Sequence, residues 1–269
     1  MFLSHSLSIP VNSFHVLEQY NKKKILVNQE GHYNIVSNIC PHQKSLISLD
    51  HGSGNRVCPY HNWSFKLDGS PIASGRTDYY CKNKTALDLQ KAFEWNSLLF
   101  DSPVDFKIQE QFDNMILKES RIDVVNADYK IIMDVFLDVD HIQSVHSGVY
   151  DLIGITDTSV SWDYYKNGSV QKVGQGALWI AVYPFTMIEW QQGSMFITVA
   201  QPDGIKSKVS VFKYMDIRHD NNWNINQDVW ETAWKQDKNQ AEIITEFTQS
   251  NLEPQKIHFR EFLKTNGTY

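Results

Sequence analysis

The stretch CPHQKSLISLDHGSGNRVCPYHNW, Cys40 to Trp63, holds a Cys-x-His followed, after fifteen intervening residues, by a Cys-x-x-His. Two tight pairs of thiol and imidazole have ligand spacing, so the stretch reads as a metal site. A structural zinc clip is one reading, since zinc accepts two thiolates and two imidazoles in a tetrahedron. Its ligand pairs, however, usually join Cys to Cys and His to His. Here each pair mixes one Cys with one His, which suits a cluster of two metals in which each loop gives one ligand to each metal. His51, between the loops in the turn Asp50-His51-Gly52-Ser53-Gly54, lacks pair spacing and is expected to face solvent.

Around this stretch, from Ser8 to Phe100, short β segments alternate with polar turns. Lys24–Val27 and Tyr33–Val36 flank Asn28-Gln29-Glu30-Gly31, a hairpin signal, and Ser64–Leu67 precedes the turn Asp68-Gly69. The first part reads as an all-β domain over residues 1–104, ending in a linker at Asp101–Val104; Trp95–Phe100 can pack on either side of it. The rest, 105–269, is expected to form a second domain. It opens with a helix-like stretch over Tyr129–His146 and continues as an antiparallel meander through Ala177–Pro184, Phe185–Trp190, Met195–Gln201 and Lys208–Met215. A long helix is expected from Asn226 to Ser250, with Trp230, Trp234, Asp237, Ala241 and Ile244 on one face. A shorter one covers Pro254–Lys264, with Ile257, Phe259 and Phe262 as its apolar positions.

The composition narrows the function classes. A 269-residue chain with 42% apolar residues and eight tryptophans can build sizeable cores. A net charge of -6 argues against a nucleic-acid partner, and Lys22-Lys23-Lys24, the one basic cluster, reads as a solvated turn. No apolar run approaches the roughly 20 residues that span a bilayer, and the N-terminus lacks the basic and apolar regions of a signal peptide, so a cytoplasmic protein without a membrane partner is expected. Three cysteines do not make a disulfide framework; Cys81 reads as a packed thiol, and Asn83-Lys84-Thr85 has no meaning without secretion.

A second candidate site lies in Asp128–His146. On an ideal helix Asp134, Asp138 and His141 fall within about 60° of one another, and Ile132, Val135, Val139 and Ile142 form an apolar stripe to one side. A solvated acidic face with His146 as a helix-end cap is the plain alternative. His141 and His146 lie about 140° apart on such a helix, so they share a metal only if the helix distorts or ends between them, which Ser147-Gly148 makes feasible.

Cys40-Pro41-His42 and Cys58-Pro59-Tyr60-His61-Asn62-Trp63 closely resemble the two ligand loops of the Rieske family, and Asp138-x2-His141-x4-His146 resembles the mononuclear-iron motif of Rieske non-haem iron oxygenases, the ring-hydroxylating alpha-subunit family. The resemblance implies a 2Fe-2S cluster on Cys40, His42, Cys58 and His61. It also implies a mononuclear Fe(II) on His141 and His146, with Asp138 linking that iron to the Rieske histidine of a neighbouring subunit. Trp234–Glu242 resembles the family's late helix, whose aspartate completes the two-histidine, one-carboxylate triad; Asp237 is that residue, against Asp228, Glu242 and Glu246 as competitors. The sequence departs from the family pattern at Gln43, usually Arg, at Asn62, usually Gly, and at Asp134 and Val135, often Glu and Asn.

By the same resemblance the fold is α+β, an all-β Rieske domain followed by a helix-grip catalytic domain, an antiparallel sheet around a long helix. The implied assembly is a homotrimer, fed NAD(P)H electrons through a separate reductase or ferredoxin. The implied activity is hydroxylation, by mono- or dioxygenation, or oxidative demethylation, of a small and broadly aromatic organic substrate using O2. Trp179, Tyr183, Phe185, Trp190 and Phe196 are candidates to line its pocket, although aromatic residues on strands are more often core. The rival reading is a Rieske ferredoxin-like electron carrier with an appended ligand-binding domain.

Overall fold

The computed structural model describes residues 1–72, 85–155, 160–174, 176–247 and 253–268. Cys81, Asn83 and Lys84 lie outside them, as does the 248–250 end of the long helix expected from sequence. By contact the chain divides into two compact units, Phe2–Val104 and Asp105–Tyr269, with Met1 grouped with the second.

In the first unit, Lys24–Gln29 and His32–Ser37 pair antiparallel across Glu30-Gly31. Both turn residues have positive φ, 53° and 85°, the backbone that matches the twist of a two-residue hairpin and that Gly31 adopts without strain. This hairpin is the middle of a five-stranded sheet whose other strands are Gly52–Ser53, Ser13–Val16 and Leu89–Lys91. Phe14, Ile25, Val27 and Val36 form a core with Trp63, Phe65, Cys40 and Cys58, so both cysteines are anchored in apolar packing. Trp95–Phe100 belongs to this unit: Phe93–Trp95 and Leu98–Phe100 pair together, and Leu98–Phe100 also pairs with Phe2–His5.

The second unit is built on a seven-stranded antiparallel sheet. Its strands are β1 (Met115–Val125), β2 (Val160–Tyr165), β3 (Gly168–Val173), β4 (Ala177–Val182), β5 (Thr186–Gln191), β6 (Ser194–Asp203) and β7 (Lys206–Asp216). Their order is β1-β7-β6-β5-β4-β3-β2. The meander expected from sequence is β4 to β7; the pairs β2–β3 and the edge strand β1 were not anticipated. In β1 the sequence MILKESRIDVV alternates poorly because the register shifts between Leu117 and Glu119, and most of its side chains are exposed.

Among the described residues four helices accompany the sheet: α1 (Tyr129–Leu137), α2 (His141–Val145), α3 (Trp223–Ile243) and α4 (Pro254–Thr265). The helix expected over Tyr129–His146 is therefore two. Asp138 has an extended backbone (φ -81°, ψ 115°) and ends α1. Asp134, Asp138 and His141 do not share one helical stripe. On α3, Trp230, Trp234, Asp237 and Ala241 are buried as expected, but the helix stops at Ile243 and Ile244 is 40% exposed. On α4 the buried apolar residues are Phe259 and Leu263, whereas Ile257 is exposed.

α3 is held to the sheet by stacked aromatics and by charge. Phe196 lies parallel to Trp230 at 5.1 Å, and Trp230 to Trp234 at 6.2 Å. Lys213 on β7, fully buried, pairs with Glu231 of α3 and with Glu119 of β1 (2.8 Å), while Arg121 reaches Glu231 (2.6 Å) and Asp123 (3.2 Å). Trp234 Nε1–H donates to Asp123 Oδ2 at 2.8 Å. A buried ammonium requires such partners, because an unpaired one carries a large desolvation penalty. The network fixes the rotation of α3 and hence the direction of Asp237.

Candidate metal centres

The two cysteine loops are built alike. In each, the cysteine carbonyl accepts the N–H of the residue four further on, Lys44 or Asn62, both at 3.0 Å, and that residue is left-handed with φ 57° or 58°. Each cysteine N–H then donates to the carbonyl one residue beyond, Ser45 or Trp63 (2.8 and 2.7 Å). The turn explains Asn62: a left-handed position favours glycine, and asparagine tolerates it better than most other residues. Gln43 lies exposed on the first loop and touches nothing that explains its departure from arginine.

Cys40 and Cys58 are 1% exposed and free, whereas His42 and His61 are exposed with ring centroids 4.6 Å apart. His42 stacks on Trp63 at 4.9 Å, nearly parallel. Burial pushes the Cys40 thiol up, backbone N–H groups of His42 and Gln43 oppose this, and the neighbouring Cys58 adds to it. Two buried sulfurs side by side, with backbone donors facing one and two imidazoles at the rim, fit a 2Fe-2S group with thiolates on an inner iron and imidazoles on an outer one. His51 is exposed as expected, yet its Nδ1 accepts the Val16 N–H at 3.0 Å and its ring stacks on His15 at 4.3 Å, so it braces the sheet.

In the second unit, α2 ends at Val145, which turns His146 back toward His141. Their Nε2 atoms are 2.9 Å apart, and Asp237 Oδ1 lies 2.9 Å from His146 Nε2 and 3.2 Å from His141 Nε2. Three ligand atoms on one face of an octahedron, each about 2.1 Å from a metal, stand about 3 Å apart. Asp237 Oδ1 is buried and makes no well-angled hydrogen bond. The triangle therefore fits an ion better than it fits mutual hydrogen bonding. Burial raises the pKa of Asp237, but the two imidazoles outweigh it and hold the carboxylate below its ordinary value; burial lowers His146, and Asp237 reverses that.

Gln236, adjacent to Asp237, accepts the His146 Nδ1–H at 2.7 Å and leaves the Nε2 lone pair free. Its role was not anticipated, since no spacing rule marks a glutamine. Asp138 stands beside the His141 ring without a hydrogen bond to it. Its Oδ1 accepts the backbone N–H of His141 (3.1 Å) and stands 4.0 Å from His141 Nδ1, and its Oδ2 is paired with Lys256 of α4. Burial opposes this charge, and Lys256 overcomes it, holding Asp138 low. Asp134 pairs with Arg260 at 2.9 Å and lies apart from the triangle. The competing acids Asp228, Glu242 and Glu246 are exposed; Glu242 accepts the Asn126 N–H.

A recess beside the triangle is lined by Phe136, Ile142, Tyr150, Trp179, Met187 and Glu189. Of the five aromatic residues expected to line a pocket, Trp179 does. Phe196 is packed on Trp230, Tyr183 contacts His258 and Phe259 of α4, Phe185 packs on Tyr129, and Trp190 is half-buried and absent from the lining. Glu189, within the apolar strand β5, escaped notice. Burial pushes its carboxyl up to about 7, against the hydrogen bond from Trp230 Nε1 to Oε1 (3.0 Å). In the iron-free protein it thus keeps a proton that the unfolded chain releases above its ordinary value of 4.5. Its stabilising contribution is complete below pH 4.5 and is lost as pH rises through about 7. Glu189→Gln is expected to remove about 3 kcal/mol of this pH-dependent loss, so that its stability gain over wild type, measured by urea unfolding, grows from pH 4.5 to pH 8. Equal pH slopes for the two proteins would show that Glu189 ionises normally.

Comparison with known proteins matches residues 1–79 to the Rieske [2Fe-2S] domain family. The chain is 23% identical over 245 residues to putrescine 2-hydroxylase of Ralstonia nicotianae, covering 76% of this chain and 66% of that one. It is 23% identical over 214 residues to the carnitine monooxygenase oxygenase subunit of Acinetobacter pittii, covering 66% and 57%. The matched region spans less than two thirds of either relative's own length. Among solved structures, the quaternary ammonium Rieske monooxygenase CntA in complex with L-carnitine superposes with TM-score 0.75 at 16% identity, over 100% of this chain and 88% of that one. NdmA of Pseudomonas putida CBB5 superposes with TM-score 0.59 at 15% identity, covering 90% and 80%. Relatives named for putrescine and carnitine give no support to ring hydroxylation, dioxygenation or an aromatic substrate. Residues 1–79 thus match the Rieske [2Fe-2S] domain family, and the chain as a whole has the fold seen in Rieske monooxygenases.

Proposed function

We propose that the chain is the oxygenase component of a Rieske monooxygenase system acting on a small aliphatic amine, by hydroxylation or by hydroxylation that ends in loss of an N-alkyl group. The observation that carries this reading is the triangle of His141 Nε2, His146 Nε2 and Asp237 Oδ1, with sides of 2.9 to 3.2 Å, on the same chain as the paired cysteine loops. The two relatives named for amine or quaternary ammonium substrates point to the substrate class.

Cys40, His42, Cys58 and His61 would hold the cluster, and His141, His146 and Asp237 the mononuclear iron. When bound, the cluster supplies single electrons and the iron provides the Lewis-acidic centre at which dioxygen is reduced. The protein's own contribution is positional. Gln236 fixes the tautomer of His146, and α3 delivers Asp237 and Gln236 from consecutive positions. Phe136, Ile142 and Met187 keep water from the recess and orient an alkyl chain beside the triangle. Asp138, tethered to Lys256 and 4.0 Å from His141 Nδ1, serves as the acid through which a neighbouring subunit's Rieske histidine is reached in a homotrimer. Electrons come from NAD(P)H through a separate reductase or ferredoxin. Among the described residues, no helix is long and apolar enough to cross a membrane.

The test is metal and sulfide analysis of the anaerobically purified chain, combined with oxygen uptake alongside a surrogate reductase and a panel of alkyl amines. About three irons and two sulfides per chain are expected, with amine-dependent oxygen uptake and a product heavier by one oxygen or lighter by an alkyl group. Two irons with no uptake from any donor would instead make it an electron carrier, and zinc without sulfide would exclude both.

A further inference from the structure

We propose that Glu189 is the counter-ion that selects a substrate bearing an N–H ammonium group, seating it in the recess beside Tyr150 and Trp179. The proposal rests on the oxygenase reading of this site and assigns it a specificity-determining residue. Glu189 is 8% exposed, on the inner face of β5. Trp230 donates to Oε1, and among the described residues the second carboxyl oxygen has no partner.

Three features favour a cation. Among the described residues no lysine or arginine lines the recess, whereas Asp138, Glu189 and Asp237 all do, and Lys256 pairs only with the first of these. Tyr150 and Trp179, 5.7 Å apart and each at most 6% exposed, offer ring faces that attract ammonium groups. The Trp179 indole N–H is buried without a partner, leaving a polar group for a ligand to satisfy.

The chemistry also discriminates among cations. A buried carboxyl with one oxygen unpaired holds a negative charge only beside an opposite charge that also donates a hydrogen bond, so Glu189 becomes a counter-ion when such a ligand is seated. A primary or secondary ammonium supplies both. A quaternary ammonium supplies charge but no donor, and its methyl groups exceed a recess of about 20 Å³. Trp230 anchors the glutamate from α3, so the counter-ion and the Asp237 carboxylate are held by the same helix, and the bound nitrogen is kept at a fixed offset from the triangle.

Calorimetric titration of the iron-loaded full-length chain under nitrogen, with n-butylammonium, 1,4-diaminobutane, butyltrimethylammonium and 1-butanol, tests this. Wild type is expected to bind the two N–H ammonium probes about 10- to 100-fold more tightly than the other two, the range given by a charged hydrogen bond. Glu189→Gln, which keeps an acceptor for Trp230, is expected to lose that preference while binding 1-butanol within about twofold of wild type. Glu189→Asp, which retains the charge, is expected to recover part of it. The assignment is overturned if Glu189→Gln keeps the preference, if wild type holds butyltrimethylammonium as tightly as butylammonium, or if iron-replete wild type ignores amines. Iron analysis of the same samples separates the two claims: wild type lacking mononuclear iron overturns the oxygenase reading, and iron-replete protein without amine selectivity overturns only the role of Glu189.

Discussion

Asp237→Ala is expected to empty the mononuclear site and leave the Rieske cluster intact. The substitution removes one corner of a triangle whose other two corners, His141 and His146, lie on the short α2 segment and its cap. Two neutral imidazoles then remain, without the carboxylate that balances half the charge of a ferrous ion. Loss of even an outer partner of a metal ligand lowers affinity by about 10- to 100-fold, so loss of a ligand is expected to lower it by more. Iron should fall from about three to about two per chain, with sulfide and visible absorption unchanged. Oxygen uptake should disappear. Asp237 is buried at the foot of a recess, and alanine there leaves His146 hydrogen-bonded to Gln236, so the fold should survive. Unchanged iron content would show that the carboxylate ligand is another acid.

Cys58→Ser is expected to do the reverse. Its sulfur is buried in the core of the first unit beside Cys40, and serine places a hard, weakly acidic hydroxyl where an inner iron requires thiolate. The cluster should be lost, with its sulfide and visible absorption, while about one iron per chain stays on the triangle. Thermal unfolding should fall for the first unit, since metal affinity is also folding free energy. Retained sulfide with a shifted spectrum would mean that serine can ligate and that the loop tolerates the exchange. Together the two variants form a double dissociation, each removing one metal group and sparing the other.

The two centres were unevenly legible in the sequence. Cys40-Pro41-His42 and Cys58-Pro59-Tyr60-His61 carry their chemistry in residue type and short spacing, so the loops were readable without the fold. His141, His146 and Asp237 depend on where the chain bends. Asp138-Val139-Asp140 contains neither glycine nor proline, and nothing local announces that α1 ends at Leu137 and that a new helix starts at His141. Asp237 was chosen over Asp228, Glu242 and Glu246 by resemblance; its burial on α3 is a tertiary fact, set by the docking of Trp230 and Trp234. Glu189 was hidden for a related reason. A glutamate in an apolar strand is polar on either face, and only the pairing of β5 with β4 and β6 decides that it points inward. The edge strand β1, with all nine residues between Met115 and Val125 charged, polar or exposed, resembles a loop until β7 pairs with it.

Gln236 and Asp237 are neighbours on α3, while His146, which the one orients and the other faces, lies 90 residues earlier in sequence. The mononuclear site is thus a long-range product of folding and cannot be assembled from any short contiguous fragment of the second unit. An ion bound there acts as a cross-link closing a loop of that length, stiffening the docking of α3 against α2 and restricting the unfolded ensemble. Iron loading and the stability of this unit are therefore coupled: the helix that completes the coordination set is also the one whose docking the ion would secure.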